Sequence, residues 1–255
     1  MTHSFYCGTS NMLFAVPNKA AFPLAFRNKP RLTYYASQFN SLEVNRSFYK
    51  VPQPATVARW AAETPVDFRF TFKLFKGITH MPGIAHHHID LLHFLKVISE
   101  VGDKKGCLLL QFPPSFKADQ YDTLQQLLNI LSSEAHGWRV AIEFRDAGWY
   151  TKTTSKLVAA HHAGIVMHDM PRSAFHERPP SPPGRGDTAA PFVYLRFHGP
   201  AGDYKGGYTD AQLQQYAIRI GEWMQAGKTV YAYFNNTIGD ALQNVTTLRA
   251  MVAAL

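Results

Sequence analysis

Polar and apolar residues alternate along several short runs of this chain, and that period of two predicts strands. In FNSLEVNRSFY (39–49), Leu42 and Val44 alternate with Glu43 and Asn45, so one face is apolar and the other carries a carboxylate and an amide. AIEFRD (141–146), YLRFHG (194–199) and YAYFNN (231–236) repeat the pattern, each ending in polar groups opposite its apolar face. DFRFTFKLF (67–75) sets Phe68, Phe70 and Phe72 against Arg69, Thr71 and Lys73. With three further apolar runs, the predicted strands are 4–9, 41–48, 67–75, 106–112, 139–145, 165–170, 192–199 and 229–235.

Between the strands the spacing changes to that of helices. Segments 30–39, 56–63, 84–101, 119–131, 153–163, 209–226 and 240–255 place apolar residues three and four apart. Examples are Ile89, Leu92, Phe94, Leu95 and Ile98 in the third, and Tyr121, Leu124, Leu127, Leu128 and Leu131 in the fourth. Pro30 suits a first turn, Asp119 a cap, and Gly164 and Gly227 helix ends. Segment 171–191 holds six prolines and two glycines without helical period, and is expected to be a loop standing in for a helix.

Strict alternation of strands and helices predicts parallel strands joined by crossover helices. Eight such units over 255 residues predict a single-domain TIM-type (β/α)8 barrel with its sixth helix replaced by the Pro-rich loop. A doubly wound open sheet is the alternative, but its strands would be apolar on both faces.

Composition adds a little. The formal net charge is +8, which favours anionic ligands or nucleic acid as partners, although the basic residues form no long run. Cys7 and Cys107 fall inside strand-like runs and show no zinc or disulfide spacing, so free thiols in a reducing cytoplasm are expected. The first residues carry no signal-peptide pattern, and no apolar run reaches the ~18 residues of a membrane span, so no membrane partner is expected.

Several motifs then fall in order: GTS (8–10), FNSLEVNRSFY (39–49), TFK (71–73), ITH (78–80), LLLQFPPSF (108–116), IEFRDAGWY (142–150), YLRFHG (194–199) and YFNNTIGDALQN (233–244). In these the chain resembles the YecE-like proteins, the family of domain of unknown function 72, over nearly its whole length. The resemblance implies a TIM-barrel fold and supplies no reaction. One departure stands out. Where the family pattern has Gly-Trp after Gly-Thr-Ser, this chain has Asn11 and Met12, so its first loop is expected to line a pocket differently.

In a barrel the active site forms at the C-terminal strand ends, and alternate side chains point inward. If the apolar residues face the helices, then Glu43, Asn45, Lys73, Gln111, Glu143, Arg145, His168, Arg196, His198, Tyr233 and Asn235 face inward, and Asp169 faces the helices. Glu43, Glu143 and His198 are the candidate catalytic groups, carboxylates and an imidazole suited to proton transfer. Asn45, Lys73, Gln111, Arg145, His168, Arg196, Tyr233 and Asn235 are candidate substrate contacts; the cations suit a carboxylate or phosphate, the amides hydroxyls or an oxyanion. Any one of these could instead be a structural ion pair. No cofactor is required. A divalent metal on Glu43, Glu143, His168, Asp169 and His198 is an alternative, opposed by three nearby cations.

The reading is therefore an acid–base enzyme acting on a small anionic substrate, phosphorylated compounds among the candidates. Its rival is a nucleic-acid-binding or nucleic-acid-processing protein that stacks bases on exposed Trp149, Tyr150 and Tyr204. Weaker signals are GDYKGG (202–207) as a phosphate cradle, the His86–His88 run with His93, and the pair His161-His162 at a helix end. Segment 171–191, with Arg172, Arg178 and Arg185, reads as a lid or an unstructured connection. The pattern sets no expectation of oligomeric state.

Overall fold

The computed structural model describes residues 5–81, 87–171, 173 and 190–255. It is an α/β protein built on parallel sheets. The strands are β1 (Phe5–Thr9), β2 (Ser41–Val44), β3 (Arg69–Lys73), β4 (Lys105–Gln111), β5 (Arg139–Glu143), β6 (Gly164–Ile165), β7 (Met167–His168), β8 (Phe192–Phe197), β9 (Lys205–Gly206), β10 (Thr229–Phe234) and β11 (Ile238–Gly239). The helices are α1 (Arg31–Gln38), α2 (Arg46–Tyr49), α3 (Pro54–Ala62), α4 (Lys76–Thr79), α5 (His88–Ile98), α6 (Tyr121–Glu134), α7 (Lys152–Ala160), α8 (Asp210–Gln225) and α9 (Ala241–Ala253). None of the described helices is long and apolar enough to cross a membrane.

One sheet runs β2-β3-β4-β5-β6 and a second β1-β10-β8-β7, with every pairing parallel. The two meet at both margins. β6 and β7 are separated by Val166 alone, whose N–H donates to Ile142 O at 2.8 Å. At the other margin Ser10 and Glu43 form a parallel bridge, and the Asn11 N–H donates to Glu43 O at 2.8 Å. Gly8 permits this approach, because a Cβ there would lie 2.0 Å from Ser41 O. Asn11 has φ 62, so the position where the family pattern has glycine does take the left-handed conformation, which asparagine tolerates better than most residues.

The core divides by strand parity. Leu42, Val44, Phe70, Phe72, Leu108, Leu110, Ile142, Leu195, Phe197, Ala232 and Phe234 pack into one large cluster with the apolar sides of the helices. Residues of the opposite parity from both sheets form a separate cluster that includes Tyr6, Cys107, Leu109, Ala141, Val166, Tyr194, Tyr231 and Tyr233. The polar site lies beyond the C-terminal side of this second cluster.

Several local expectations change. The second strand stops at Val44, and α2 begins at Arg46, so Asn45 stands at a helix start rather than within a strand. In α5, Ile89 and Leu92 are exposed, while Leu91, Phe94, Leu95, Val97 and Ile98 are buried, so the apolar face sits one residue round from the expected one. Asp119 lies in a 3-10 turn before α6 and caps nothing with its side chain. Gly164 begins β6, and α7 instead ends at Ala160, followed by His161 and by His162 at φ 53. Residues 82–86, and with them His86 and the expected start of the third helix, lie outside the described residues; so do Ser4, Arg172, Arg178, Arg185 and nearly all of the Pro-rich loop. The β9–β11 ladder, formed beyond β8 and β10, has no counterpart among the expected strands.

Candidate functional site

Glu43 is the second-last residue of β2 and is fully buried. Arg196 of β8 grips it with two bonds, Nε to Oε2 at 2.9 Å and Nη2 to Oε1 at 2.8 Å. Ser10 Oγ and Tyr194 OH complete its shell at 2.5 Å each. The remaining Arg196 nitrogen, Nη1, reaches Glu143 Oε2 of β5 at 2.6 Å. Arg145 Nη2 then meets Glu143 Oε1, as a charge contact rather than an aligned hydrogen bond. The result is a chain of alternating charge, Glu43–Arg196–Glu143–Arg145, carried by three strands of both sheets.

Burial alone would raise both carboxyl groups, but the adjoining cations prevail. Glu43 is held below its ordinary range by Arg196, Ser10 and Tyr194, and Glu143 well below it by Arg196 and Arg145. Burial would conversely deprotonate Arg196, and the two carboxylates push it well above its ordinary value instead. Both glutamates are therefore ionised and occupied. They hold no proton to donate and are weak bases.

Two histidines lie beside this chain with rings 5.9 Å apart. His168 Nε2 meets Phe144 O at 3.0 Å and Tyr150 OH at 3.2 Å, which leaves Nδ1 with no partner. His198 Nδ1 meets Asp169 Oδ1 at 3.2 Å, which leaves Nε2 with none. Those partners assign a proton to Nε2 of His168 and to Nδ1 of His198. Burial pushes His168 down to about 4, and His198 also falls below its ordinary value although Asp169 opposes the shift. Asp169 comes from beyond β7 and takes the His198 N–H at 2.8 Å as well as a bond from Tyr208 OH, whose oxygen in turn accepts from Gly199 N–H at 2.7 Å.

Lys73, at the end of β3, donates to Gln111 Oε1 at 2.7 Å and lies 4.0 Å over the Phe48 ring. Burial lowers its ammonium to about 8, with Arg196 adding to the fall. His80, packed against the same Phe48 ring at 4.8 Å, is held near 4 by burial, Lys73 and Arg145.

The structure thus brings Glu43, Lys73, Gln111, Glu143, Arg145, His168, Arg196 and His198 to one end of the strands. It treats three other candidates differently. Tyr233 is fully buried one layer deeper, its hydroxyl spent on Ser41 Oγ at 2.6 Å and Thr71 Oγ1 at 2.8 Å, so it is a tie between strands. The Asn45 backbone N–H donates to Asn11 Oδ1 at 3.2 Å, and the Asn45 Oδ1 is buried without a partner. Asn235 is half-buried and its backbone N–H donates to Phe197 O at 2.7 Å. Its neighbour Asn236, which strand parity does not single out, is the fully buried one and joins Gly206 O and Asn244 Oδ1.

Ser10, Tyr194, Tyr208 and His80 also escape the sequence pattern. Tyr194 shares the parity of Arg196 and His198, so extending the inward set to aromatic residues further down each strand finds it. Other readings are revised. Among the described residues no three His, Cys, Asp or Glu side chains are grouped to hold a metal ion, because the glutamate oxygens face guanidinium groups. Trp149 is fully buried, stacked on Phe116 and Phe144, and offers no surface to a base. In GDYKGG the N–H groups of Gly202, Tyr204 and Lys205 already bond Gly199 O, His198 O and Asp203 Oδ1, so they cannot cradle a phosphate. His161 shares a hydrogen bond with Ser132 Oγ, and burial lowers its value, against a charged role at the end of α7. His88 and His93 are exposed.

Residues 6–255 match the family described as "Protein of unknown function DUF72". The chain is 31% identical to UPF0759 protein YecE of Escherichia coli strain K12 over a stretch covering 48% of this chain, and it spans only 43% of that relative's length. It is 24% identical to UPF0759 protein YunF of Bacillus subtilis strain 168, over 88% of this chain and 86% of the other. Crystal structures of DUF72 family proteins share the fold. One from Enterococcus faecalis V583 superposes with a TM-score of 0.74 at 19% identity, over 98% of this chain and 95% of that one. One from Thermotoga maritima MSB8 gives 0.73 at 23% identity, over 98% of this chain and all (100%) of the other. A family match over residues 6–255 makes this chain a member of the DUF72 family.

Proposed function

We propose that the chain is an enzyme carrying out acid–base chemistry on a small anionic substrate, bound at the C-terminal strand ends of a single closed (β/α)8 barrel. The closed barrel is favoured by the two contacts between sheet margins and by the separate inner cluster drawn from both sheets. A reducing cytoplasm suits its two free, buried thiols.

One observation carries the functional reading. Buried polar atoms without a protein partner gather at this end of the strands: Asn45 Oδ1, Arg145 Nε, His168 Nδ1, His198 Nε2 and Asn236 Oδ1. Such atoms are costly in an interior, at about 1–3 kcal/mol each, and a polar ligand would satisfy them. In the proposed arrangement Lys73 and the free Nε of Arg145 receive the anion. His198 moves the proton through Nε2, oriented from behind by Asp169, and the Glu43–Arg196–Glu143 chain holds the frame. An anion beside the imidazoles would raise their depressed values, so His198 becomes a competent base once substrate is bound. Residue type alone points to Glu43, Glu143 and His198 for proton transfer; we favour His198, because both carboxylates are engaged by guanidinium groups.

A thermal-shift panel of small carboxylates, sugar phosphates and nucleotides tests the binding step. A ligand at about 100 times its dissociation constant adds ~2.7 kcal/mol, which raises the midpoint by roughly 5–10 °C at 2–4 °C per kcal/mol. The shift should disappear in Lys73→Gln, while His198→Gln should keep the shift and lose turnover followed by NMR of that ligand. If no ligand produces a shift dependent on Lys73, or if His198→Gln turns over at the full rate, the proposal fails.

A further inference from the structure

A second concave region lies at the opposite, N-terminal ends of the strands. It is a cavity of about 780 Å³, the size of pockets that hold small molecules. Its inner wall is the pair Tyr6 and Tyr231, stacked 5.2 Å apart at 18° and both buried. Arg69, Lys105 and Arg139 are the first residues of β3, β4 and β5, three neighbouring strands, and all three line it. Asp103 is the one carboxylate among the described residues of the lining, and it is exposed.

Ordinary solvated surface does not account well for this arrangement. The cations are fixed rather than free to splay. Arg139 lies 5.7 Å over the Tyr231 ring and donates to its hydroxyl at 3.1 Å. Arg69 lies 5.5 Å over Tyr6 and donates to Val66 O and Phe68 O at 3.1 and 3.0 Å. Lys105 donates to His136 O at 2.9 Å. Those partners are neutral oxygens, so the hydrogen bonds that hold the three cations neutralise none of their charge, and among the described residues of the lining Asp103 is the one carboxylate set against them. A multiply charged anion would balance the excess of positive charge in the lining. The half-buried guanidinium groups keep further N–H donors for it, in the fork geometry that suits phosphate oxygens.

We propose that this cavity is a second ligand site, which takes a small molecule bearing one or two phosphate groups on Arg69, Lys105 and Arg139. The site is separate from the one at the C-terminal ends, since β5 alone puts ~13 Å between Arg139 and Glu143 at ~3.3 Å per residue. Bound there, a phosphate compound would be an effector or a second substrate portion outside the acid–base site.

Calorimetric titration of the full chain with pyrophosphate at ~150 mM salt tests this. Saturable binding is expected, weakened about tenfold by Lys105→Gln and by Arg139→Gln, and altered less than about twofold by Lys73→Gln at the other end. Lys105→Gln carries the test if loss of the Arg139–Tyr231 contact disturbs folding, because the Lys105 hydrogen bond goes to the carbonyl of an exposed residue. Absence of binding, unchanged affinity in Lys105→Gln, or loss of binding in Lys73→Gln would each overturn the second site. The acid–base proposal is judged independently, by the Lys73-dependent shift.

Discussion

Arg196 is 2% exposed and makes contacts to two carboxylates through all three of its nitrogens. A guanidinium so placed is part of the fold before it is part of any reaction. Removing it leaves two buried negative charges on different strands, and breaking a buried pair in this way costs about 3–5 kcal/mol. Arg196→Ala should therefore lower the unfolding free energy from urea titration by that much, with Lys73→Gln near wild type; equal stability of Arg196→Ala and the parent would refute the structural role. His168 sets a second residue-level expectation, in pH. Its folded value is near 4 and its ordinary value 6.5, so between them the unfolded chain holds more protons and stability falls as pH drops. The share of His168 in this fall should be about 2 kcal/mol from pH 7 to pH 5, at ~1.4 kcal/mol per pH unit below 6.5. Glu43 and Glu143, whose values are also depressed, extend the loss below their ordinary 4.5. His80 and His198, whose values are also depressed, share this window, so His168→Gln should reduce the slope between pH 7 and 5 without abolishing it; an unchanged slope in that variant would sink the assignment.

At the scale of elements, alternation is readable because it is imposed by burial on one face. Phe68, Phe70 and Phe72, and likewise Leu195 and Phe197, pack on the helix side as their period requires. Elements specified by tertiary contact are harder to read. The run 41–48 looks like one strand, yet Ser47 Oγ bonds Val44 O and Lys73 O at 2.7 Å each and helps turn the chain into α2. In α5, Leu91 and Val97 are chosen for burial over Ile89 and Leu92, a choice that hydrophobicity alone cannot make. Parity likewise finds the charged residues of the site, since Glu43, Glu143, Arg196 and His198 all fall on one side. It does not show that Arg196 occupies both glutamates, because pairing depends on which strands become neighbours. Nor does it reach Asp169, whose strand position faces the helices but whose carboxylate bonds the end of β8.

For the whole molecule, the informative margin is the one between β1 and β2. Elsewhere neighbouring strands share ladders, such as the register from Cys107–Arg139 to Gln111–Glu143 between β4 and β5. Between β1 and β2 a single bridge at Ser10 and Glu43 takes that role, assisted by Asn40, whose side chain accepts from Cys7 N–H and donates to Phe5 O, each at 2.9 Å. Side chains replace backbone bonds here: Thr9 N–H donates to Tyr35 OH at 2.8 Å, and Tyr35 OH reaches Ser41 O at 3.2 Å. A margin with fewer backbone bonds opens at lower cost than the ladders around it. Native-state hydrogen exchange should accordingly find the amides of Cys7, Thr9 and Asn11 less protected than those of Leu108–Leu110. Gly8→Ala sharpens the test, since its Cβ would fall 2.0 Å from Ser41 O and force the strands apart. That variant should lose about 3 kcal/mol, the upper end of overpacking costs, with the added exchange confined to β1, β2 and the Glu43 end of the charged chain. Uniform acceleration across both sheets would instead mean that the margin opens only when the whole protein unfolds. In that event the two sheets form a single cooperative unit, and the Glu43–Arg196 contacts hold its weakest joint as firmly as a ladder would.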